Sequence, residues 1–561
     1  MLIQRKNITN KKLLKIKRRI LNFNMKNKDM NNKNVETNLK EINSKNGKTK
    51  FIEKIKENKI DIIIFLIYAI VTFVITIIFH EKWRDEAQAW LIARDLDFWG
   101  IIKQMTYEGH PPLWHFILAP FAKLGFPYIT ESVISWLIMC VTAGLILKKA
   151  PFKKPVQVLI LLTAPFIYLY PTIARSYCLV PLALVLIAIL YKNRHEKPIK
   201  YTLSILFLAY THMLMWGLVG ILYLFFFLEE IFYVKKTKKD VKNIIIALII
   251  AFAGLIILFY MLSGGISQNT QLQLASIVDI SFIKIRLLFV EILSNLFGPI
   301  TYSFGFRVFI EIFAIVIICY YFKKNSQSMV IAIVSILWPI FVYLCIYGYS
   351  TQKINLIILT TIFIAWIIKE ENNHIKNENE SKNVSSLLDK VAIYGSIFVL
   401  LLNAMQGISW IQEDISTKYS FSKEVAEYIN QNLENDSVVV SVFGPYTSAV
   451  IPYTETSKNI RFWSPSTQKY FTYMDWDDIS NQLLDLEDIM IIIQNNFKNE
   501  NVYILSSNDL LETKNKDYLN ELQENNIISK SLYESAYEER SVIGEEEYAL
   551  YKVNLNSLRR N

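Results

Sequence analysis

Between residues 60 and 410 this chain is a succession of apolar runs, a pattern that leaves few folds open. The first, IDIIIFLIYAIVTFVITIIF (60–79), carries one charge, Asp61, and as a helix at 1.5 Å per residue it is long enough to cross about 30 Å of hydrocarbon. Further runs occupy roughly 111–125, 129–147, 155–170, 174–191, 201–211, 213–232, 243–262, 283–298, 306–322, 328–348, 353–369 and 391–410, which makes about thirteen candidates. Backbone polar groups in lipid must be paired within the protein, so such a series predicts a polytopic α-helical membrane protein.

Charge orders the series. By region it is about +13 over residues 1–59, about +9 over the middle and about −12 over the last 150, within a total of +10 for 561 residues. The basic excess sits in the N-terminal tail and in short loops, where cytoplasmic segments are expected, and this distribution argues against nucleic acid as a partner. Residues 1–59 are rich in Lys and Asn and are expected to form a disordered cytoplasmic tail. If every run crossed, the Lys148, Lys149, Lys153 and Lys154 cluster and the loop YKNRHEK (191–197) would both fall outside. One of the two runs between 111 and 147 is therefore expected not to cross by itself, and 283–298, with Lys284, Arg286 and Glu291, fits an interfacial helix. Between about 11 and 13 crossings remain, and either odd number puts the last segment outside. The four cysteines, Cys140, Cys178, Cys319 and Cys345, lie inside apolar runs and are assigned to packing.

Three regions follow: the tail 1–59, a transmembrane domain 60–411 with a first external loop 80–110, and an extracytoplasmic α/β domain 412–561. In the last, SVVVSVFGPYTSAVIPY (437–453), DIMIIIQNNF (488–497), NVYILSS (501–507) and YALYKVN (548–554) read as strands, and FSKEVAEYINQNL (421–433) as an amphipathic helix. The aromatic-rich segment 461–478 is expected to touch an acceptor or a glycan.

The polar residues that stand out lie at the ends of the apolar runs. In KWRDEAQAW the adjacent Asp85 and Glu86 emerge just past the first run, where one or two short helices are predicted; about 100° apart on a helix, they can meet different partners. One can face a substrate hydroxyl as general base while the other orients it; an exposed charge pair at a helix N-terminus is the plainer alternative. In EGHPPLWHF the prolines suit a helix start, placing His110 at its mouth, where free amides and an imidazolium can face a phosphate. PTIARSYCL and AYTHMLMWG bring Arg175 and His212 to the same external side as Asp85. A guanidinium fork matches a phosphate, although Arg175 can equally be a snorkelling anchor and His212 a satisfied buried histidine.

RDEAQAW, GHPPLWHFILAPFAKLG, PFIYLYPTIARSYCL and LFLAYTHMLMWGL resemble, in order and at similar spacing, the GT-C fold membrane glycosyltransferases, notably glycosyltransferase family 39 and its relatives among the protein O-mannosyltransferases and aminoarabinose transferases. The likeness covers about residues 60–370. It implies an inverting transferase that moves a sugar from a polyprenyl-phosphate carrier to a glycan, lipid or protein acceptor on the outer face of the cell membrane. It further implies Asp85 as base beside Glu86, donor contact or cavity shaping by His110, Pro111 and Pro112, and substrate-binding roles for Arg175, Tyr177 and His212. The aminoarabinose branch has lysine where His110 stands. No nucleotide-binding fingerprint is apparent, no cofactor is called for, and a divalent metal at the acid pair is left open. Two other readings stand beside this one: a multi-pass transporter or flippase of lipid-linked saccharides, and a non-catalytic envelope-assembly protein.

Overall fold

The computed structural model describes residues 59–232, 238–263, 282–324, 326–345, 350–378, 387–476, 482–507, 515–535 and 541–559. The expected disordered tail lies outside these residues except for Lys59. The chain divides into two compact units, residues 1–66 and 67–561. Of the first, only the opening of helix Lys59–Phe73 is described. The second holds a helical bundle and a mixed α/β region.

Among the described residues, seven helices are long and apolar enough to cross a membrane: Lys59–Phe79, Thr130–Lys149, Met213–Phe232, Asp240–Leu262, Gln327–Cys345, Thr351–Glu371 and Lys390–Ser416. An eighth is the pair Lys154–Leu162 and Pro165–Thr172, bent by 60° at its break. Among the described residues several of the apolar runs form helices too short to cross the hydrocarbon alone. Leu113–Lys123 has 11 residues, about 16 Å, and is the member of the 111–147 pair that cannot span alone. Ser176–Tyr191 and Pro198–Ala209 are also short apolar helices.

The bent pair explains one buried polar contact. Breaking a helix frees an amide that lipid cannot satisfy. Here Asn403 Oδ1 accepts from Ala164 N–H at 3.1 Å, while Asn403 Nδ2 donates to Leu296 O and Asn355 Oδ1. Gly407, one turn along the same helix, permits this approach, since a Cβ there would lie 2.8 Å from Ala164 Cα. Cys140, Cys178 and Cys345 are buried and free; the Cys319 side chain lies outside the described residues.

The C-terminal region carries six strands: β1 Val438–Ser441, β2 Arg461–Ser464, β3 Lys469–Tyr470, β4 Val502–Ser507, β5 Tyr533–Glu534 and β6 Tyr548–Lys552. They form one sheet of order β3-β2-β1-β4-β6-β5, in which β1 pairs in parallel with β2 and β4 and the outer pairings are antiparallel. Helix Ser422–Asn432 covers one face, as its pattern predicts. The expected strand at 488–497 is instead a helix, Leu486–Asn496. Leu486, Ile489, Met490 and Ile493 fall on one face at helical spacing and are buried against β1 and β4; a short apolar run does not by itself distinguish strand from helix.

Helix Arg84–Asp95 joins the bundle to this sheet. Its Leu91 is buried in the same apolar cluster as Phe421, Val425, Val439 and Tyr548. At its start, the Arg84 amide donates to Glu546 Oε1 at 3.0 Å, and Ser422 Oγ donates to Lys82 O at 3.1 Å. The sheet domain therefore packs against the first residues after the first span.

Candidate active site

Residues 80–110 fold as two short helices, Arg84–Asp95 and Phe98–Glu108, ending in Gly109, whose φ of 70° turns the chain toward His110. Asp85 and Glu86 do point to different partners. Glu86 is fully buried. Its Oε1 accepts from the Ala174 amide at 2.8 Å; its Oε2 lies 3.2 Å from His80 Nε2 and accepts from the Trp83 amide at 3.4 Å. His80 Nδ1 in turn lies 3.0 Å from Asp414 Oδ2. Burial alone would lower the His80 pKa, but the Asp414 and Glu86 carboxylates outweigh it and raise it to about 10. Glu86 is thus the centre of a closed strut, Asp414–His80–Glu86–Ala174. Both of its oxygens are committed to partners within the protein.

Asp85, on the next face of the helix, pairs with Arg175 Nη1. Arg175 Nη2 reaches His110 Nε2 at 3.4 Å, and the guanidinium lies 5.9 Å from the centre of the Tyr177 ring. Tyr177 is stacked between Tyr170, 6.0 Å away, and His212, 4.9 Å away. All six residues marked out in the sequence therefore gather at one end of the bundle, beside the sheet domain. Ala174, whose amide Glu86 holds, positions the arginine.

The two histidines sit in unlike surroundings. Burial, reinforced by the charge of Arg175, pushes His110 down to about 3, which favours the neutral ring at ordinary pH. With Arg175 as donor, its Nε2 accepts, which places the ring proton on Nδ1. His212 is 3% exposed, accepts from the Leu214 amide through Nδ1 and is pushed well below the usual histidine range by burial. Its ring stacks on that of Tyr177.

Two charged residues at the site escape the sequence reading. Lys353, at the start of the span Thr351–Glu371, is close enough to Asp85, Arg175, His110 and His212 for their charges to interact. Its segment is tied in by Tyr170, whose hydroxyl donates to Gln352 O at 2.9 Å. Lys353 sits between two apolar runs, the same signal that singles out Arg175 and His212. Glu108 precedes the Gly-His-Pro-Pro turn, and burial lifts its carboxyl to about 7 despite hydrogen bonds from Gln88 and the charge of Arg175. Among the described residues no cluster of three or more His, Cys, Asp or Glu is arranged to hold a metal ion.

Arg175 and Lys353 can hold an anion, Asp85 can take a proton, and the apolar bundle can hold a lipid beside them. No family model matches the chain, and no curated protein matches it. Among solved structures it is similar to ArnT from Cupriavidus metallidurans bound to undecaprenyl phosphate, with a TM-score of 0.48 and 11% identity over 88% of this chain and 98% of that one. The same protein in the apo state gives a TM-score of 0.47 and 10% identity, over 90% and 99% of the two chains.

Proposed function

We propose that this chain is a membrane glycosyltransferase that moves a sugar from a polyprenyl-phosphate donor to an acceptor hydroxyl at the outer face of the membrane, with inversion at the anomeric carbon. The observation that carries this reading is the Asp85–Arg175 pair at the bundle end, with Lys353 beside it and the sheet domain against it. A donor of this class brings a lipid tail suited to the bundle and a phosphate suited to two cations. Its acceptor, a glycan, lipid or protein, presents a hydroxyl at the end of the bundle where the sheet domain packs. The N-terminus is then cytoplasmic and the sheet domain extracytoplasmic, in keeping with the basic tail.

In this reading Arg175 pairs with Asp85 until a donor phosphate competes for the same guanidinium fork. Once Arg175 turns to the phosphate, Asp85 accepts the proton of the acceptor hydroxyl as its oxygen attacks the anomeric carbon. The bond from that carbon to the phosphate oxygen breaks. The departing lipid phosphate keeps the electron pair, stabilised by Arg175 and Lys353. Neutral His110 accepts from Arg175 and limits the orientations open to its fork, and Tyr177 supports it from the side.

The test is mass spectrometry of lipid-linked sugars and surface glycans in cells lacking the chain, complemented with the unaltered protein or with Asp85→Asn. The reading requires a polyprenyl-phosphate sugar to accumulate in the deletion, to be cleared by the unaltered chain, and to persist with the variant although it reaches the membrane at normal levels. Clearance by Asp85→Asn would instead favour transport or assembly.

A further inference from the structure

The reaction above leaves Glu108 without a part, yet its surroundings are built with care. It ends helix Phe98–Glu108, and its side chain is 8% exposed. Oε1 accepts from Gln88 Nε2 at 2.8 Å, with Gln104 Nε2 at 3.5 Å; Oε2 stands 3.9 Å from His110 Nε2, beyond hydrogen-bond length. Both glutamines are themselves held by the sheet domain. Gln88 donates to Met474 O at 2.6 Å and accepts from the Met474 amide at 3.0 Å, and Gln104 donates to Met474 O at 3.0 Å and to Asp475 O at 3.1 Å. One carboxylate oxygen is fixed by amides anchored in the outer domain, and the other is turned toward His110 and the Arg175–Asp85 pair.

The anchoring segment has its own character. Tyr473 packs against Ile92, Ile101 and Met105, Met474 is buried, and Trp476 adopts φ 58°, a left-handed conformation that is uncommon for a bulky residue. A carboxylate whose Oε2 stands 3.9 Å from His110 Nε2, tied through Gln88 and Gln104 to a segment that carries Tyr473 and Trp476, suits a saccharide, which presents a rim of hydroxyls and apolar C–H faces. We propose that Glu108 and residues 473–476 form an acceptor subsite for a saccharide, with Glu108 Oε2 accepting a hydrogen bond from one of its hydroxyls. This rests on the transferase reading and deepens it: the outer domain supplies one wall of the subsite and, through Gln88 and Gln104, sets the carboxylate that holds the acceptor.

A pH signature comes with it. The charged groups that act on Glu108 are Arg175 and Asp85, and the neutral His110 ring faces its Oε2 at 3.9 Å. Its carboxyl titrates near neutrality, so acceptor binding weakens as pH falls and the carboxylate gains its proton.

The experiment uses the full chain in lipid nanodiscs, with lipid-linked sugars extracted from cells lacking it as donor. Oligosaccharides released from the surface of the same cells serve as acceptor. Glu108→Gln is expected to raise the acceptor concentration for half-maximal rate by about tenfold while the donor KM stays within about twofold, and Glu108→Asp should recover part of the loss. Gln104→Leu should move the acceptor term in the same direction by less. The unaltered protein should need more acceptor as pH falls through about 7, and Glu108→Gln should lose that dependence. An unmoved acceptor term in Glu108→Gln, with donor still consumed, overturns this inference alone. So does a donor KM that moves in proportion. Absence of donor consumption by the unaltered protein overturns the transferase reading and this inference with it.

Discussion

Two arginine–carboxylate pairs stand at opposite ends of one short helix, Ser176–Tyr191, about 24 Å apart along its axis. At the far end Arg194 grips Glu229 with two parallel bonds, Nε to Oε2 at 2.8 Å and Nη2 to Oε1 at 3.0 Å. Its Nη1 donates to Tyr191 O, its guanidinium lies 4.2 Å over the Tyr191 ring, and Gln327 and His195 complete the carboxylate. At the near end Arg175 meets Asp85 through one nitrogen and one oxygen and passes a second, longer contact to a neutral histidine. A bidentate pair with its remaining groups satisfied is a fastener. A monodentate pair beside a second cation retains capacity for a ligand.

The largest expected effect comes from opening the near pair. Asp85→Asn should lower the rate of sugar transfer by about a thousandfold, and Arg175→Ala by at least a hundredfold with a higher donor KM, each with little change in thermal unfolding in detergent. If either variant melted early and kept its activity per folded molecule, the near pair would be a second fastener and the contrast would fail.

A closed cluster one residue from Asp85 sharpens the contrast. His80 lies between Asp414 and Glu86 with all three side chains withdrawn from solvent. Burial opposes its charge, the two carboxylates prevail, and the pKa rises from 6.5 to about 10. A folded-state value above the unfolded one means that the folded protein holds the extra proton between those limits. The stabilisation is full below about 6.5 and is lost as pH rises toward about 10. Asp414→Asn should cost on the order of 3 kcal/mol and flatten the stability–pH curve in that window, as read by thermal unfolding in detergent. A curve that stays steep would show that the strut is not the source.

Lys353 should fall between these extremes. Lys353→Gln removes a cation beside Arg175 and leaves Asp85 in place. The donor KM should rise about tenfold with a smaller change in kcat, measured with the lipid-linked donor in nanodiscs. A change in kcat alone would place Lys353 at the acceptor or in the leaving step.

The near end was legible in the sequence because its polar residues are costly where they stand. Asp85, Arg175 and His212 interrupt apolar runs, and the runs order the loops in which they lie. Lys353 carries the same signal, but it stands at the first residue of an apolar run, where a lysine also reads as an ordinary span end. Glu108 was hidden for another reason: what distinguishes it is contact with Gln88 and Gln104, which residues 474–475 of the sheet domain hold, and no local spacing encodes that. Neutral His110 was beyond reach as well, since its state depends on burial and on the Arg175 that the fold brings to it. The helix at 486–496 shows the limit of pattern alone, for its apolar residues satisfy a strand and a helix about equally until the sheet supplies a face to bury them against.

The smallest effect tests the far pair by rescue. Arg194→Met leaves Glu229 with Gln327 and His195 and should cost about 1–2 kcal/mol, less than a deeply buried pair because both side chains keep some access to solvent, 13% and 16%. Transfer activity per folded molecule should not change, since no contact of Arg194 reaches the Asp85 end. Adding Glu229→Leu removes the stranded carboxylate, and the double variant should recover most of the lost stability, because a fastener can be replaced by apolar packing. The matching double change at the near end, Asp85→Asn with Arg175→Met, removes an ion pair just as evenly and should recover no activity. If the near double variant regained transfer, or the far one melted lower than either single change, the distinction between a fastener and a ligand site would not hold. Measuring unfolding and turnover on each of these proteins, with Glu229→Leu alone included, separates the outcomes.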